Sequence, residues 1–267
     1  MNKAMKSTLS KVPAITLGFW IIKILATTLG ETGGDTITMT WLGETTKAAN
    51  GFGYLIGTGL ILAPFIILVI AQIVAKKFHP FLYWATIIAS TMLGTTMADF
   101  ADRSLGIGYT GGTALLFACV LASLATWYRA EGTISVDTVN TPRVELFYWV
   151  TITFSQTLGT ALGDWMADDG GVGFLGGALV FTAALAVVAA LHYWTRISKV
   201  LLFWAAFILT RPLGATVGDF FDKPFNHGGL NVSRPLASAI IAAVILVLVL
   251  VIPQRPGKHP GTEPRTA

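Results

Sequence analysis

LGETGGD (Leu29–Asp35), LGTTMAD (Leu93–Asp99), LGTALGD (Leu158–Asp164) and LGATVGD (Leu213–Asp219) are four copies of one phrase. Each reads Leu-Gly, three residues, Gly or Ala, then Asp. Successive copies begin 64, 65 and 55 residues apart, a recurrence that marks one structural unit used four times. Only 12% of the chain is charged, so four acids at equivalent places beside apolar sequence are where function is to be sought.

The surroundings of the phrase set the class. A mean hydropathy of +0.67, with 54% hydrophobic residues, exceeds that of a soluble domain of this length and predicts an all-α integral membrane protein. Apolar stretches of bilayer-crossing length fall near residues 13–29, 55–75, 81–97, 111–128, 146–162, 174–195, 201–217 and 236–252. The expected organisation is a cytoplasmic N-terminus (1–11) and a single transmembrane domain (12–252). Within that domain lie four parallel two-helix repeats in a pseudo-symmetric bundle: about 12–78, 79–128, 144–197 and 198–252, with a cytoplasmic linker at 129–143. A disordered, proline-rich tail (253–267) follows. The basic N-terminus before an apolar run has the outline of a signal peptide, but that run belongs to the first repeat and is read as a span. Cys119 lies inside a span and carries no redox information.

Charge predicts the topology. The N-terminus, the tail and alternate loops hold 12 of the 18 Lys and Arg, which assigns that side, with both termini, to the cytoplasm of a bacterial inner membrane. Ten of the 14 acids lie in or just beyond the phrases, on the opposite side. Trp84, Trp127-Tyr128, Tyr148-Trp149, Tyr193-Trp194 and Trp204 are expected to form an aromatic belt at the inner interface.

Small residues four apart (Gly30/Gly34, Gly94/Ala98, Gly159/Gly163, Gly214/Gly218) permit close helix contact and are read as packing. The acids are read differently, because a carboxylate in a membrane span faces a bundle interior or a wet cavity. Arranged around one axis, Asp35, Asp99, Asp164 and Asp219 converge to bind a cation or share protons. The competing reading makes them helix-end acids in interfacial water. Asp102, Asp168 and Asp222 follow as a second tier. Glu31 is singular, since its siblings are Thr95, Thr160 and Ala215, and it is the leading single functional acid. Lys23 and Arg211 are the basic residues inside spans and are read as counter-charges, Arg211 being the better placed to reach the acids.

Met39, Met92, Met97 and Met166 lie in or beside the phrases, and a thioether with carboxylates suits a transition metal. Methionine is equally an ordinary filler of gaps. The candidate metal set is Asp35, Asp99, Asp164, Asp219 and Met97. No HExxH or CxxC spacing occurs. GxGxxG appears at 106–111 and 171–176, without the strand that a dinucleotide site needs. These glycines are expected to form tight outer turns whose backbone approaches the acids.

Gly30-Glu31-Thr32-Gly33-Gly34-Asp35 and its siblings resemble an uncharacterised family of bacterial membrane-anchored proteins across all four repeats. In chemistry alone, Glu31-Thr-Gly-Gly-Asp35 is similar to the Glu-x-Gly-Asp membrane cation exchangers, which move Ca²⁺ or Mn²⁺ against protons. It carries one extra residue between Glu and Asp, and Thr36 where those motifs have a base. The exchangers use inverted halves rather than parallel repeats.

The expected function is a membrane transporter for a cation, a divalent metal such as Mn²⁺, coupled to protons through clustered carboxylates. Its partners are then the lipid bilayer and a metal ion or proton, with no nucleic acid and no required cofactor beyond a bound divalent cation. One alternative is a non-transporting receptor or scaffold module, and another an anion or organic-solute transporter using Lys23 and Arg211. No enzyme is expected: the Gly-x-Gly-Asp signature of intramembrane aspartyl proteases needs glycine three before Asp, where the chain has Thr32, Thr96, Ala161 and Thr216.

Overall fold

The structure, a computed structural model, describes residues 9–258. Among the described residues there are eight α-helices and no strand. They are α1 (Leu17–Asp35), α2 (Phe52–Val74), α3 (Pro80–Asp99), α4 (Tyr109–Glu131), α5 (Pro142–Asp164), α6 (Gly173–Trp194), α7 (Lys199–Asp222) and α8 (Arg234–Val251). Starts are set locally: Thr16 and Thr141 cap α1 and α5 through their hydroxyls, and Pro80 and Pro142 occupy first-turn positions that need no amide donor. Each phrase lies wholly inside a helix. After Asp35, Asp99 and Asp164 the chain continues into a π-helical turn, a widening that recurs at functional sites, whereas α7 stays α-helical through Asp222.

The odd-numbered helices form a closed ring in the order α1, α3, α5, α7. The phrase glycines make it possible. A Cβ on Gly30 would overlap Thr91; on Gly94 it would lie 2.7 Å from the Gln156 carbonyl carbon; on Gly159 it would overlap Arg211; on Gly214 it would lie 2.7 Å from the Thr27 carbonyl carbon. All four partners stand three residues before the phrase glycine of the adjoining inner helix. One turn later Gly34 meets Thr95, Gly163 meets Ala215 and Gly218 meets Glu31, so contacts advance together and the inner helices run parallel.

The even-numbered helices pack outside, and each leans on the next repeat: α2 on α3, α4 on α5, α6 on α7, and α8 back on α1. The two helices of a repeat are therefore not packed on each other, and the four repeats interlock as a ring. A second helix has no apolar partner face on its own first helix, whose neighbours in the ring occupy it. Of the apolar 18-residue stretches in the spans Pro80–Ser104 and Lys199–Asp222, 67% and 61% is buried, against 22%, 17%, 22% and 22% for those of α2, α4, α6 and α8. Six helices, all but α1 and α5, are long and apolar enough to cross a membrane by length and composition. The two exceptions are inner helices whose polar residues are shielded by their neighbours.

The aromatic belt is also corrected. Trp84, Trp127, Tyr148, Trp149 and Trp204 are buried, and of the expected set Tyr128, Tyr193 and Trp194 are exposed. Phe19-Trp20, Tyr83-Trp84, Tyr148-Trp149 and Phe203-Trp204 stand at equivalent places, eleven and ten residues before each phrase glycine. They stack edge-on into a floor across the ring, with Tyr83 and Tyr148 hydroxyls 2.7 Å apart. Chain ends seal this floor from below. Ala14 donates to Arg255 O, Gly257 to Val12 O and Lys11 to Val139 O, while the Trp84 and Trp204 indoles donate to Gln254 and Ile134. The expected disorder of 253–267 is thus wrong for 253–258, whose backbone amides and carbonyls find partners in the N-terminal segment; 259–267 lie outside the described residues, as do 1–8.

If close approach builds the ring, Gly214→Ala overpacks it against Thr27 backbone at a cost of about 1–3 kcal/mol. Gly59→Ala, on an exposed α2 position with nothing within 4 Å, is neutral or stabilising. Thermal melts of the purified variants in detergent check the contrast.

Candidate functional site

Above the aromatic floor the ring interior is polar. Threonines line it because in a helix their hydroxyls donate back to carbonyls three or four residues earlier, as Thr91 does to Ile88 O and Thr95 to Thr91 O. At the phrase level Glu31 Oε2 accepts from Arg211 Nη1 at 3.0 Å, and both side chains are buried. Arg211 Nη2 donates to the hydroxyls of Thr95, at 2.6 Å, and Thr160. These hydroxyls approach Glu31 Oε2 at 3.4 and 3.5 Å. Contributions from all four inner helices therefore meet at one ion pair on the axis.

One turn further on lie the phrase aspartates. All four are buried, Asp35 fully and Asp164, the most accessible, 5% exposed, so they are not acids in interfacial water. Two bases bind them in pairs. Arg103 lies 2.7 Å from Asp99 and 3.7 Å from Asp164; Lys223 lies 2.8 Å from Asp219 and 3.1 Å from Asp35. Each base stands four residues after its own Asp and reaches the Asp of the next repeat. Lys223, just past the end of α7, would be pulled down in pKa by burial, but Asp219, Asp35 and Asp222 outweigh that and hold its ammonium well above the ordinary lysine value. Arg234 completes the cluster, 3.1 Å from Asp222 and 3.7 Å from Asp35.

Carboxylate oxygens come within 4.8 Å of one another in two buried groups among the described residues: Glu31, Asp164 and Asp219, and Asp35, Asp219 and Asp222. Asp219 belongs to both. This redraws the expected metal set. Asp99, 2.7 Å from Arg103, is in neither group. Met97 packs against the Ile61, Phe65 and Leu93 cluster between α2 and α3, an apolar filler on the outward side of its helix. Asp168 is exposed and outside both groups, and Asp102 faces Gly112 of α4 instead of the axis. Lys23 is buried but pairs with no acid among the described residues. Eight residues from Glu31 is about 12 Å along a helix, and Nζ turns to the Phe207 ring, 4.2 Å from its centroid. The turn glycines Gly106, Gly108, Gly171 and Gly173 have positive φ and open space around them, so they reverse the chain without approaching the acids. The cap on α2 comes from Glu44, which accepts from the amides of Gly51 and Gly53.

Arg103, Lys223 and Arg234, which hold the buried acids, were not among the expected site residues. The signal was present: Arg103 and Lys223 both follow a phrase Asp by four residues, the spacing that brings side chains together on a helix.

A family model for a repeat of unknown function, DUF347, matches residues 18–78, 82–133, 147–198 and 202–252. The chain belongs to this family. The four DUF347 matches coincide with the four units of the ring, each holding one inner and one outer helix. No curated protein and no solved structure matches the chain.

The axial pair supplies a test. Arg211→Gln leaves Glu31 buried without its base and costs about 3–5 kcal/mol. The double variant Glu31→Gln/Arg211→Gln recovers most of that loss. A double-mutant cycle of melting temperatures measures the coupling, and additive losses would dissolve the pair.

Proposed function

We propose that this protein is a multi-pass transporter of the bacterial inner membrane that exchanges a divalent metal cation such as Mn²⁺ for protons. The observation that carries the reading is a charge imbalance. Glu31, Asp35, Asp99, Asp164 and Asp219 gather on the axis against Arg103, Arg211 and Lys223, five acids to three bases, while Asp222 is matched by Arg234 and the buried Lys23, set against the Phe207 ring, touches no acid among the described residues. Two formal negative charges in so dry a place are prohibitive without a counter-ion. Two protons or one divalent cation discharge them equally, which makes the exchange electroneutral. Asp35 Oδ1 and Asp99 Oδ2 receive no hydrogen bond from the described residues, leaving acceptors for protons.

The cation's place is among Glu31, Asp164 and Asp219, an all-oxygen set suited to a hard divalent ion. Access is from the acid-bearing end, where the Arg103 side chain is 35% exposed, while the aromatic floor closes the other. The excess of Lys and Arg at the floor end assigns that end, and both termini, to the cytoplasm. The likeness of Glu31-Thr-Gly-Gly-Asp35 to the Glu-x-Gly-Asp exchangers supports the same chemistry on a different fold.

Reconstituted in proteoliposomes, the protein is expected to move Mn²⁺ against a proton gradient, with Asp164→Asn lowering flux by at least about tenfold. Metal binding displaces protons, so apparent affinity falls as pH falls, by up to about a hundredfold per pH unit where two protons are exchanged. A folded wild-type protein that passes neither Mn²⁺, Ca²⁺, Mg²⁺ nor Zn²⁺ sinks the proposal. Loss of fold on Asp164→Asn with no metal signal in the wild type favours a non-transporting module, and flux of an anion abolished by Arg211→Gln favours the anion reading.

A further inference from the structure

An open groove of about 820 Å³ runs between α1 and α6 at the floor end, bounded by α7 and by the segments around 135–137 and 257–258. Its volume falls in the range of small-molecule clefts, about 300–1,000 Å³. Its walls are apolar, with Leu17, Trp20, Ile24, Leu185, Val188 and Phe203 among them. Its polar rim is basic: His192, Lys199 and Lys258 stand against a single acid, Asp137. Lys199 Nζ and His192 Nε2 lie 3.5 Å apart, and neither Lys199 nor Lys258 has a carboxylate partner among the described residues.

The internal repeat shows what such a seam looks like when filled. Between α2 and α5, Lys11 Nζ donates to Gln72 O at 3.0 Å and Ile73 O at 3.1 Å and pairs with Glu145 at 2.6 Å, closing the space. His192 follows Phe174 by eighteen residues, as Gln72 follows Tyr54, and Thr16 precedes its phrase glycine by fourteen, as Glu145 does. At the α1–α6 seam the carboxylate anchor is thus replaced by Thr16, and among the described residues no lysine–carboxylate pair crosses it. The filled seam is bridged by a cation on an acid; the open one offers cations with no acid of comparable placement.

We propose that the α1–α6 groove holds one anionic phospholipid, an acyl chain along its apolar wall and the phosphate between Lys199 and His192. Charge complementarity favours an anionic headgroup, and basic recesses between spanning helices on the cytoplasmic side are recognised lipid sites. The inference rests on the membrane reading but is independent of what, if anything, is transported.

Native mass spectrometry of the delipidated full-length protein, titrated with phosphatidylglycerol or phosphatidylcholine, tests it. The expected result is one retained phosphatidylglycerol, preferred over phosphatidylcholine by at least about tenfold. Lys199→Gln/His192→Gln brings that preference to within about twofold, and Ala189→Trp, which fills the wall, removes retention of both lipids. Lys199 and Ala189 are exposed, and unchanged melting curves show that each variant is folded; Lys199→Gln alone serves should either larger change fail. Equal retention of both lipids by the wild type, or a preference untouched by Lys199→Gln, overturns the site. Millimolar inorganic phosphate displacing the lipid completely overturns the acyl-chain contact. Alkaline extraction of membranes separates the two claims: protein released in soluble form sinks the membrane reading, while retained protein without lipid preference sinks only this inference.

Discussion

Four glycines set the distance between four helices, and everything else in the structure follows from that distance. At Gly30, Gly94, Gly159 and Gly214 the missing side chain is occupied by the residue three places before the phrase glycine of the neighbouring inner helix. Close approach of this kind brings dispersion contacts and interhelical hydrogen bonds, which drive helix association where burial of apolar surface does not. Thr91 Oγ1 donating to Ala26 O and Thr27 Oγ1 donating to Thr210 O are the bonds it permits. The same contacts fix rotation: with the glycine face turned to the neighbour, position 31 and its equivalents 95, 160 and 215 turn to the axis.

Charge on that axis has to be answered from within the ring. The answer breaks the four-fold pattern in two ways. At the phrase level one acid, Glu31, faces one base, Arg211, across two threonines. At the aspartate level the bases come from the second and fourth repeats alone, so that Arg103 ties α3 to α5 and Lys223 ties α7 to α1. A ring of four equal units would carry four equal acids with nothing to hold them; alternation of Arg103 and Lys223 with Met39 and Asp168 at the same place converts it into two clamped pairs. The remaining imbalance is the feature on which a cation or protons can act.

The helices, their number and the importance of the phrase were legible because they depend on composition and on repetition, which a linear chain displays directly. The aromatic doublets were just as regular but were read for their chemistry: tryptophan and tyrosine near a span end have an interfacial preference, and only packing shows that those ten and eleven residues before each phrase glycine are buried, Trp20 at the α1–α6 groove excepted. Arg103 and Lys223 were missed because the expected spans, 81–97 and 201–217, end before them. The π-helical turn after Asp99 and the extra turn of α7 carry these bases back over the acids, and nothing in hydropathy marks such a continuation. Lys23 illustrates the reverse error, since a base inside a span invites pairing with the nearest acid, while its actual neighbour is an aromatic ring contributed by α7.

By itself the sequence determined that one apolar two-helix unit is used four times, that each unit carries an aspartate beside small residues, and that Glu31 and Arg211 break the pattern. Periodicity and residue type carry that information without reference to any partner. Only the tertiary structure decided that each outer helix lies on the next repeat, that the methionines stay in the apolar seams, and which acids are claimed by which bases. Those outcomes depend on the rotation of each inner helix about its own axis, which is fixed by contact with neighbours between one and three repeat lengths away in the chain, and not by the local sequence.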